Sequence, residues 1–562
     1  MKYELGDVVV MKKEHPCKNN MFKIVRLGAD IKIECIKCGR LIMLLRVEFN
    51  KKIKSKDVKL HPALLFLILT ILVMIISSVG SILHLETSYY TVNTATGELE
   101  PHIVTINNLF NRTGIQYLIS NLLNNFTTFA PLGTLIVGLI GVGVAYNSGF
   151  LNSFFKMITK DKPKKLFTFI VVLLGVISSM FLDTAYVILI PLSAILFMNL
   201  GRHPSAGICA AFAGITFGYG ANFFVNSLDA SLIEYTTSAT KILDQNYTVN
   251  LHGNIIFMII STLLISYLGM IITEKYIVPK LGKYTFDEED PDINSSLTSK
   301  ERKGVLVSLL AFALVVLLLI YSIIPGLPFS GLLLYLKDAT YVEQLFGDNS
   351  YFNQGSVAIF SALLAFAGLI YGIRTKTIKN NSDLVTGMSY YLKGFSSLLV
   401  LIFFAAQFCL IFKQTNIGIF IVASLAEFLN SIELSGIMLI IVCFIIILIS
   451  SVFVPVASTK WAILSPIMVP MFMQNTFTPE FATAVFRAAD SSIKGISPLF
   501  TYFVILIGFI QIYNKKKKTI TITDALSLMV PYAIAFSVLW LLIVIGFYII
   551  GLPLGINTGV ML

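Results

Sequence analysis

The sequence predicts an all-α polytopic membrane protein with a small β-rich soluble domain at its N-terminus. Of the 562 residues, 56% are hydrophobic and only 13% are charged, and the mean hydropathy is +0.81. A soluble chain carries about 25% charged residues. Several apolar runs reach the roughly 20 residues that a helix needs to cross a bilayer. Two apolar segments, one in each half, are interrupted by polar residues at matching places. We therefore predict about nine transmembrane helices and two re-entrant hairpins in two inverted repeats.

Residues 1–60 form the predicted soluble domain, which is basic. Residues 1–61 contain fifteen Lys and Arg against seven Asp and Glu, so most of the net charge of +11 precedes the first apolar run. Such charge is typical of a solvated face on the cytosolic side of a membrane; binding to RNA or anionic lipid is the less favoured alternative. Short β-prone runs separated by turn residues indicate a small barrel or meander. These runs are 8–10, 22–25, 31–33 and 41–44.

The same domain carries four candidate zinc ligands, His15, Cys17, Cys35 and Cys38. In a reducing cytosol, the C-x2-C spacing of the last two can place two sulfur atoms on one tetrahedral zinc ion, which the other two would complete. The alternative is ordinary reduced cysteines in a domain too small to need a metal. Six cysteines in the whole chain are too few and too scattered for a disulfide framework. The HPC and C-x2-C pattern resembles a small uncharacterised bacterial domain, usually found alone, and this resemblance implies no activity.

The first half of the predicted carrier, residues 61–290, contains an unusual segment around Asp183. This is the only charged residue between Lys165 and Arg202. Its apolar flanks, about fifteen residues each, are too short for a ~30 Å hydrocarbon core at 1.5 Å per residue. We therefore predict a re-entrant hairpin or a broken helix, whose irregular backbone must be buried in protein or face a watery cavity. The other spans predicted in this half are 64–83, 129–145, 206–224 and 255–273.

A charged linker, 274–303, joins this half to the second, residues 300–562. Its acidic run, 287–292, is predicted to be a solvated face rather than a cation site. The loop 84–127 has no lysine, whereas lysines cluster at 156–165 and 515–518. This distribution places the N-terminus in the cytosol and the C-terminus outside, which requires an odd number of crossings. The spans predicted in the second half are 305–324, 357–373, 395–412, a short 417–428, 434–456, 498–512 and 526–550.

The two halves contain a repeated segment. Residues 184–191 and 459–466 match at Thr, an aromatic residue, Ile, Leu and Pro. The letters ISS-x-F precede both copies, with three more residues intervening in the second copy. Later residues recur at the same offset of 275: Pro204 with Pro479, and Gly220 with Gly495. Paired broken segments of this kind point to the binding site of a secondary transporter.

Three charged residues lie on one face of the helix predicted after the second copy: Arg487, Asp490 and Lys494. A charge at the centre of a membrane helix costs about 2.5–3.5 kcal/mol on insertion scales, so such residues usually pair or face a water-filled path. Arg487 aligns with Phe212 and Asp490 with Ile215 in the first copy, so packing there does not require charge. The alternative is a buried Arg–Asp pair that only specifies the position of the helix.

Asp183 and Trp461 each allow two interpretations. Asp183 belongs either to a transport site or to a cap at the hairpin tip, since Asp accepts backbone N–H bonds at helix starts. Trp461 is either apolar filler or, beside the polar Ser458, Thr459 and Lys460, a stacking surface for an aryl ring.

Several motifs resemble those of the p-aminobenzoyl-glutamate transporter (AbgT) family over residues about 64–555. They are GRHP at 201–204, D-x2-Y at 183–186, FAAQ at 404–407, NIG at 416–418, STKW to PMFM at 458–473, TPE at 478–480, FR-x2-DS at 486–491 and SP at 497–498. The resemblance implies a dimeric carrier of the bacterial plasma (inner) membrane with two re-entrant hairpins per subunit.

The resemblance also implies the residues of the site. Carried over position by position, they are Asp183, Ser458, Trp461, Pro479, Arg487, Asp490 and Pro498. Secondary candidates are Thr184, Asn222, Asn416, Thr459 and Lys494. The chain departs from the family pattern at Tyr146, where the family has an acidic residue, and at Lys494 and Gly495, where it has a polar and a bulky residue. The added positive charge of Lys494 affects the expected identity of the substrate more than the expected fold.

The predicted function is secondary active transport of an aromatic carboxylate such as p-aminobenzoyl-glutamate, or export of sulfonamide-type antimetabolites. A proton or sodium ion is the expected coupling ion, and no other cofactor is expected for transport. In this hypothesis Asp183 and Asp490 exchange the ion, Arg487 binds the substrate carboxylate, and Trp461 stacks on its ring.

Three alternatives remain open. One is a sodium-coupled carrier of another anion or of a di- or tricarboxylate. A channel would not need paired broken segments. A membrane-embedded enzyme would need a nucleophile–base pair or a metal motif, and the sequence contains no H-E-x-x-H. The chain is therefore predicted not to be an enzyme.

Overall fold

The computed structural model describes residues 3–56, 60–93, 98–286, 296–334, 340–347, 350–514 and 520–562. The chain divides into two compact units, Met1–His61 and Pro62–Leu562. The acidic run 287–292 and the lysine run 515–518 lie outside the described residues.

Within residues 3–56, the N-terminal unit is a five-stranded antiparallel sheet with the order β4-β3-β2-β1-β5. Its elements are β1 (Val8–His15), β2 (Asn19–Arg26), β3 (Asp30–Cys35), β4 (Leu41–Leu45), α1 (Arg46–Lys52) and β5 (Ile53–Lys56). Consecutive strands pair from β1 to β4, which is the predicted meander, and β5 adds to β1. Alternate residues of the strands enter a separate small core that includes Val9, Phe22, Ile24, Ile33 and Phe49.

Within residues 62–93 and 98–286, the regular elements of the first half of the membrane unit are helices and one β-hairpin. Its elements are α2 (Pro62–Ile82), β6 (Glu86–Val92), β7 (Leu99–Thr105), α3 (Arg112–Thr127), α4 (Ala130–Asn147), α5 (Phe150–Thr159), α6 (Lys164–Ser178), α7 (Leu182–Thr184), α8 (Ile190–Asn199), α9 (Pro204–Phe217), α10 (Ser227–Thr240), α11 (Ile255–Ile272) and α12 (Val278–Leu281).

The second half is helical throughout its described residues. Its elements are α13 (Ser299–Ile323), α14 (Tyr341–Phe346), α15 (Tyr351–Thr375), α16 (Asn381–Ser389), α17 (Ser396–Gln414), α18 (Ile417–Asn430), α19 (Gly436–Phe453), α20 (Ala457–Gln474), α21 (Pro479–Ile493), α22 (Phe503–Ile512) and α23 (Ile522–Ile550).

The predicted number of membrane-crossing helices is confirmed. In the described parts of the chain, nine helical segments are long and apolar enough to cross a bilayer. They are Pro62–Ile82, Arg112–Asn147, Lys164–Phe181, Ile255–Leu281, Ser299–Ile323, Tyr351–Thr375, Ser396–Gln414, Gly436–Phe453 and Ile522–Ile550. Shorter apolar helices complete the unit, among them α8 and α9.

Three predicted details are wrong. The predicted span 498–512 is too short to cross, because its helix, α22, has only the ten residues Phe503–Ile512. The segment Lys164–Phe181 before Asp183 is itself long enough to cross, so it is not a short half-helix. The predicted span 206–224 is not a crossing either. α9 ends at Phe217, and a loop leads to the more polar α10, which the sequence analysis did not predict.

The repeated segments form two helical hairpins with matching bounds. We call residues 182–217 hairpin 1 and residues 457–493 hairpin 2. The first arms run from 182 to 199 and from 457 to 474, and the second arms begin at 204 and 479. All three pairs of bounds differ by 275, the offset seen in the sequence.

The turns at the two hairpin tips also share one conformation. Gly201 has φ 69° and Thr476, its counterpart, has φ 63°. The N–H of Gly201 donates to the carbonyl of Met198 at 2.8 Å, and the N–H of Thr476 donates to that of Met473 at 2.9 Å. Glycine adopts this left-handed conformation freely, whereas a β-branched residue is strained there. The retained turn therefore indicates that one geometry is required in both copies.

The three residues that are extra in the second copy make the break before hairpin 2. α19 ends at Phe453, and Val454 and Val456 are extended on either side of Pro455. Proline disfavours a helical conformation for the residue before it, which explains the interruption. In the first copy, which lacks these residues, the chain passes from α6 to α8 through a 3-10 turn, α7 and a π-helical turn, Ala185–Leu189. The break predicted around Asp183 is thus a change of helix type, with the chain remaining helical. The alternative that Asp183 caps a hairpin tip is wrong, because the tip of hairpin 1 lies at Gly201.

A glycine that follows each hairpin packs against the second arm of the other hairpin. A Cβ on Gly220 would lie 2.7 Å from Oγ of Ser491, and a Cβ on Gly495 would lie 2.8 Å from Cγ2 of Thr216. Thr216 and Ser491 occupy equivalent positions at the offset of 275. Each copy therefore places its glycine against the same position of the other copy, as a pseudo-two-fold relation requires. Either glycine leaves no room for a side chain.

The lysine distribution generates a prediction of orientation. Ile103, on β7, is 75% exposed, and Lys162 is exposed in the loop before α6. We expect an impermeant maleimide to modify Ile103→Cys in intact cells and to modify Lys162→Cys only after the membrane is opened, because lysine-rich loops stay in the cytosol. The unmodified chain gives the background from the native cysteines. Labelling of Lys162→Cys alone in intact cells would reverse the orientation.

Candidate functional site

A cavity of about 1020 Å³ is lined by residues from both halves of the membrane unit. Its charged and hydroxyl-bearing lining includes Asp183, Glu234, Lys413, Ser458, Thr459 and Lys494. Its aromatic lining includes Phe181, Tyr219, Tyr235, Phe500 and Tyr502. The starts of hairpin 1 and hairpin 2 thus reach one common cavity, although the sequence alone placed them 275 residues apart.

Asp183 enters the cavity wall from the irregular helical turn at the start of hairpin 1. The hydroxyl of Tyr502 donates a hydrogen bond to its carboxylate. The Tyr502 ring stacks on Tyr186 with ring centroids 4.2 Å apart, and the hydroxyl of Tyr186 lies 2.7 Å from that of Thr216. Among the described residues, Asp183 makes no ion pair. The acid is therefore held by a neutral donor and faces the cavity without a cationic partner.

Asp490, on α21, is buried between two lysines. One carboxylate oxygen pairs with Nζ of Lys460, and the other lies 3.4 Å from Nζ of Lys494. Ser451 on α19 lies 2.8 Å from Nζ of Lys460 and 3.3 Å from Oδ1 of Asp490. One negative charge is thus shared by two ammonium groups, which leaves a local excess of positive charge. Of these groups, Lys494 lines the cavity.

Arg487 does not pair with Asp490, so the alternative of a buried pair between these two residues is wrong. Its guanidinium pairs with Asp229 on α10, and its Nε donates to the carbonyl of Gly220 at 3.1 Å. Asp229 also caps α10 by accepting from the N–H of Asn226 at 2.8 Å. Nη2 of Arg487 has no hydrogen-bond partner among the described residues. The guanidinium is 1% exposed and does not line the cavity.

Trp461 is fully buried and lies behind the cavity wall. Its indole N–H donates to the hydroxyl of Thr236 on α10 at 2.8 Å, and its ring packs on Phe486 with centroids 4.6 Å apart. In this conformation the ring joins α20 to α10 and α21, and it offers no free face to a ligand.

Hairpin 2 presents its N-terminus to the cavity. α20 begins at Ala457, and Ser458 and Thr459 in its first turn line the wall. The first N–H groups of a helix have no acceptor within the helix, and the helix dipole favours negative charge beside them. Nζ of Lys494 lies 3.5 Å from the ring centroid of Tyr219, within the range of a cation–π contact. Positive charge and aromatic surface therefore occur together on this side of the cavity.

The remaining candidates hold the backbone in place. Pro479 is the first residue of α21 after the capping Thr478. Thr184 bonds the hydroxyl of Ser356 at 2.8 Å, and Asn222 donates to the carbonyl of Ile177 at 3.1 Å.

Asn416 and Pro498 are likewise placed by backbone contacts. Asn416 is left-handed at the start of α18, and its amide donates to the carbonyl of Thr105 at 3.4 Å. The carbonyl of Pro498 lies 3.8 Å from Sγ of Cys409, which lines the cavity. Tyr146, at the departure from the family pattern, packs against Tyr390 and Tyr391.

Sequence reasoning missed four residues of this site: Lys460, Asp229, Tyr219 and Tyr502. Lys460 aligns with Ala185 in the first copy, so the comparison that singled out Arg487 would also have found it. Asp229 lies on a helix that was not predicted. The two tyrosines carry no charge, and only the tertiary structure brings them to the cavity.

In the N-terminal unit, the four predicted metal ligands come together. The ligand atoms of His15, Cys17, Cys35 and Cys38 all lie within 4.8 Å of one another. Burial alone would raise the pKa of the Cys35 thiol, but hydrogen bonds from the Asn19 amide and from the backbone of Cys38 lower that pKa to about 6. These donors favour a thiolate, the form of cysteine that binds metals.

Comparisons with known proteins find relatives of the membrane unit. Residues 52–562 match a family described as "AbgT putative transporter family". The p-aminobenzoyl-glutamate transport protein of Escherichia coli is 32% identical over 499 residues, covering 88% of this chain and 93% of that protein. Two solved structures are also similar. The YdaH transporter of Alcanivorax borkumensis is 30% identical, with 88% of this chain and 100% of that chain covered and a TM-score of 0.44. MtrF of Neisseria gonorrhoeae, described among antimetabolite efflux pumps, is 34% identical, with 89% of this chain and 98% of that chain covered and a TM-score of 0.46.

The N-terminal unit has its own relatives. Residues 3–56 match a family of bacterial proteins of unknown function, DUF951. The uncharacterised protein YyzM of Bacillus subtilis is 47% identical over 57 residues and is matched over 84% of its own length. A domain of this kind therefore exists as almost the whole of a separate protein.

The buried pair between Arg487 and Asp229 generates a prediction of stability. Asp229→Asn should lower the unfolding temperature in detergent and cost about 3–5 kcal/mol, because it leaves a guanidinium buried without a counterion. Arg487→Met combined with Asp229→Asn should recover most of the loss, since no charge then stays buried without a counterion. Glu433→Gln, an exposed acid, is the control. Additive losses in the double variant would contradict this role of the pair.

Proposed function

The chain belongs to the AbgT family of transporters, and we propose that it is a secondary active transporter for an aromatic carboxylate. The reference substrate is p-aminobenzoyl-glutamate, named for the Escherichia coli relative. The coupling ion is a proton or a sodium ion, and transport needs no other cofactor. The membrane unit works in the bacterial plasma membrane with the N-terminus in the cytosol. The family and the multi-pass fold support a transporter; the substrate and the coupling rest on the cavity.

The local excess of positive charge at Lys494 carries the substrate proposal. Asp490 supplies one negative charge for two buried ammonium groups, and Lys460 is the more closely paired of the two. A substrate carboxylate at Lys494 would complete the neutralisation, which a low-dielectric environment strongly favours. The N-terminus of α20, with Ser458 and Thr459, adds donors and a favourable dipole on the same wall.

The aromatic lining of the cavity favours a substrate that carries an aromatic ring as well as a carboxylate. Tyr219, Phe500 and Tyr502 line the cavity close to the charged groups. Aryl rings gain about 0.5–1.5 kcal/mol from offset or edge-to-face packing beyond the burial of their area. An anion that also carries an aromatic ring therefore matches this wall better than a small aliphatic di- or tricarboxylate. Sulfonamide-type antimetabolites share the aminoaryl group and would use the same surface in export.

Two expected ligands take other roles in this conformation. Arg487 joins α10 to α21 through Asp229, and Trp461 joins α20 to the same two helices. We assign the carboxylate contact to Lys494 and the ring contact to the tyrosines. Arg487 and Trp461 then act by positioning the helices that carry those contacts.

Asp183 is the candidate for ion coupling. It faces the cavity, accepts a bond from Tyr502, and makes no ion pair within the described residues. A carboxylate in that situation is stabilised by a bound proton or sodium ion. The cavity thus offers a place for one cation at Asp183 and one anion at Lys494, the pair of charges that a cation-coupled anion carrier must hold. One charge moving down ~100 mV supplies ~2.3 kcal/mol.

Substrate binding gives the first test of this proposal. Lys494→Met should weaken binding of p-aminobenzoyl-glutamate by about 10- to 100-fold, because a charge-assisted hydrogen bond contributes about 1.5–3 kcal/mol. Equilibrium binding to the purified protein in detergent measures it. Lys413→Met is the matched control, since Lys413 lines the same cavity but is exposed; it should change binding little.

The same binding measurement on Arg487→Met and Lys494→Met shows which of these two cations binds the substrate carboxylate. If Arg487→Met abolished binding in a protein of normal unfolding temperature while Lys494→Met bound normally, the carboxylate site would be at Arg487. Unchanged binding in both variants would contradict an anionic substrate in this cavity.

Ion coupling gives the second test. In proteoliposomes, Asp183→Asn should abolish accumulation of substrate under an imposed proton or sodium gradient while equilibrium binding persists, because the amide cannot exchange a charge. Tyr502→Phe removes only the hydrogen bond and should reduce the rate without uncoupling transport. Accumulation by Asp183→Asn at the unmodified rate would show that this acid is structural.

A further inference from the structure

The N-terminal unit gathers four metal-binding side chains on two neighbouring turns. His15 and Cys17 lie at the turn between β1 and β2, and Cys35 and Cys38 lie at the turn between β3 and β4. The pairing of β2 with β3 sets Phe22 opposite Cys35, which brings the two turns to the same end of the sheet. The sheet register therefore determines the cluster, although the two pairs are about twenty residues apart in sequence.

The distances within the cluster fit one tetrahedral ion. Nδ1 of His15 lies 3.1 Å from Sγ of Cys17 and 3.5 Å from Sγ of Cys38, and the sulfur atoms of Cys17 and Cys35 are 3.5 Å apart. Zinc bonds of about 2.3 Å to sulfur and 2.0–2.1 Å to nitrogen give tetrahedral edges of roughly 3.5–3.8 Å. Small shifts of side chains would bring the four ligand atoms into that geometry.

The surroundings of the cluster orient its ligands. The amide of Asn19 donates to Sγ of Cys35 at 3.4 Å, and the N–H of Gly39 donates to the carbonyl of Cys35 at 2.8 Å. Gly39 has φ 70°, so the turn that carries Cys38 depends on a residue without a side chain. Donors to a ligating sulfur and a fixed turn are the second layer of interactions that metal sites usually have.

The size of the unit explains why a metal would be useful. Its buried core is small and separate from that of the membrane unit, and domains below about 70–80 residues rarely gain enough stability from such a core alone. We propose that His15, Cys17, Cys35 and Cys38 bind one structural Zn²⁺ ion that clamps the two turns together. Four protein ligands close the coordination sphere and leave no open position, which distinguishes a structural site from a catalytic one. This inference is independent of the proposed transport function.

Metal analysis of the full-length protein tests the site. Protein purified under reducing conditions without chelators should contain one zinc per chain. A chain that begins at Pro62 should contain none, as should Cys35→Ser/Cys38→Ser. Cys409→Ser, a matched substitution in the membrane unit, should keep its zinc. Substitution with Co²⁺ should give the intense visible absorption of a tetrahedral thiolate site.

One further variant separates loss of a ligand from loss of the fold. His15→Cys keeps four ligands, and a set of four cysteines is a common zinc site, so this variant should retain the metal with a changed cobalt spectrum. Absence of zinc from the freshly purified full-length protein would overturn the proposal. Zinc retained by Cys35→Ser/Cys38→Ser, or by the chain that begins at Pro62, would overturn it as well.

Discussion

The arrangement around Asp490 is the constraint on which the rest of the membrane unit depends. A carboxylate and two ammonium groups are buried together, and taking each charge out of water costs several kcal/mol unless the others compensate it. Lys460 comes from the first arm of hairpin 2, and Asp490 and Lys494 come from its second arm and the turn that follows. The hairpin can carry these charges only when its arms are packed together and enclosed by other helices. The ammonium group of Lys494 at the cavity wall is where we propose that the substrate carboxylate binds.

Duplication supplies a frame in which the buried charges at positions 487 and 490 occur in one copy only. The two hairpins share their bounds, the conformation of their tips and a reciprocal glycine contact. Phe212 and Ile215 occupy in hairpin 1 the positions that Arg487 and Asp490 occupy in hairpin 2. At these two positions hairpin 1 packs through apolar side chains, whereas hairpin 2 carries charges. Asp183, the acid of hairpin 1 that lines the cavity, lies instead at the start of that hairpin. The three-residue insertion further specialises hairpin 2, because it exposes a helix N-terminus where hairpin 1 remains continuous with the preceding helix.

The sequence was sufficient for those features that depend on local pattern. Hydropathy predicted the number of crossings, and β-prone runs predicted a small barrel or meander. The offset of 275 marked the two repeated segments, but hairpin 1 was predicted around Asp183, whereas its tip lies at Gly201. The partners of Arg487 and Lys460 were not predictable. α-Helical spacing placed Arg487 beside Asp490, whereas Arg487 pairs with Asp229 on α10, and Asp490 pairs with Lys460 on α20 as well as with Lys494. Asp229 lies on α10, which is too polar to be predicted as a membrane helix from its hydropathy. Tyr502 was missed because nothing in its own segment indicates that it meets Asp183.

We propose that Lys494 binds the substrate carboxylate within the cavity that both hairpins reach. A crystal structure of the protein with a bromine-substituted p-aminobenzoyl-glutamate would locate the substrate, since the bromine identifies the position of the ring. We expect the ring against Tyr219 and Tyr502 and a carboxylate oxygen within ion-pair distance of Nζ of Lys494. A carboxylate bound instead to Arg487, with Asp229 displaced, would contradict it.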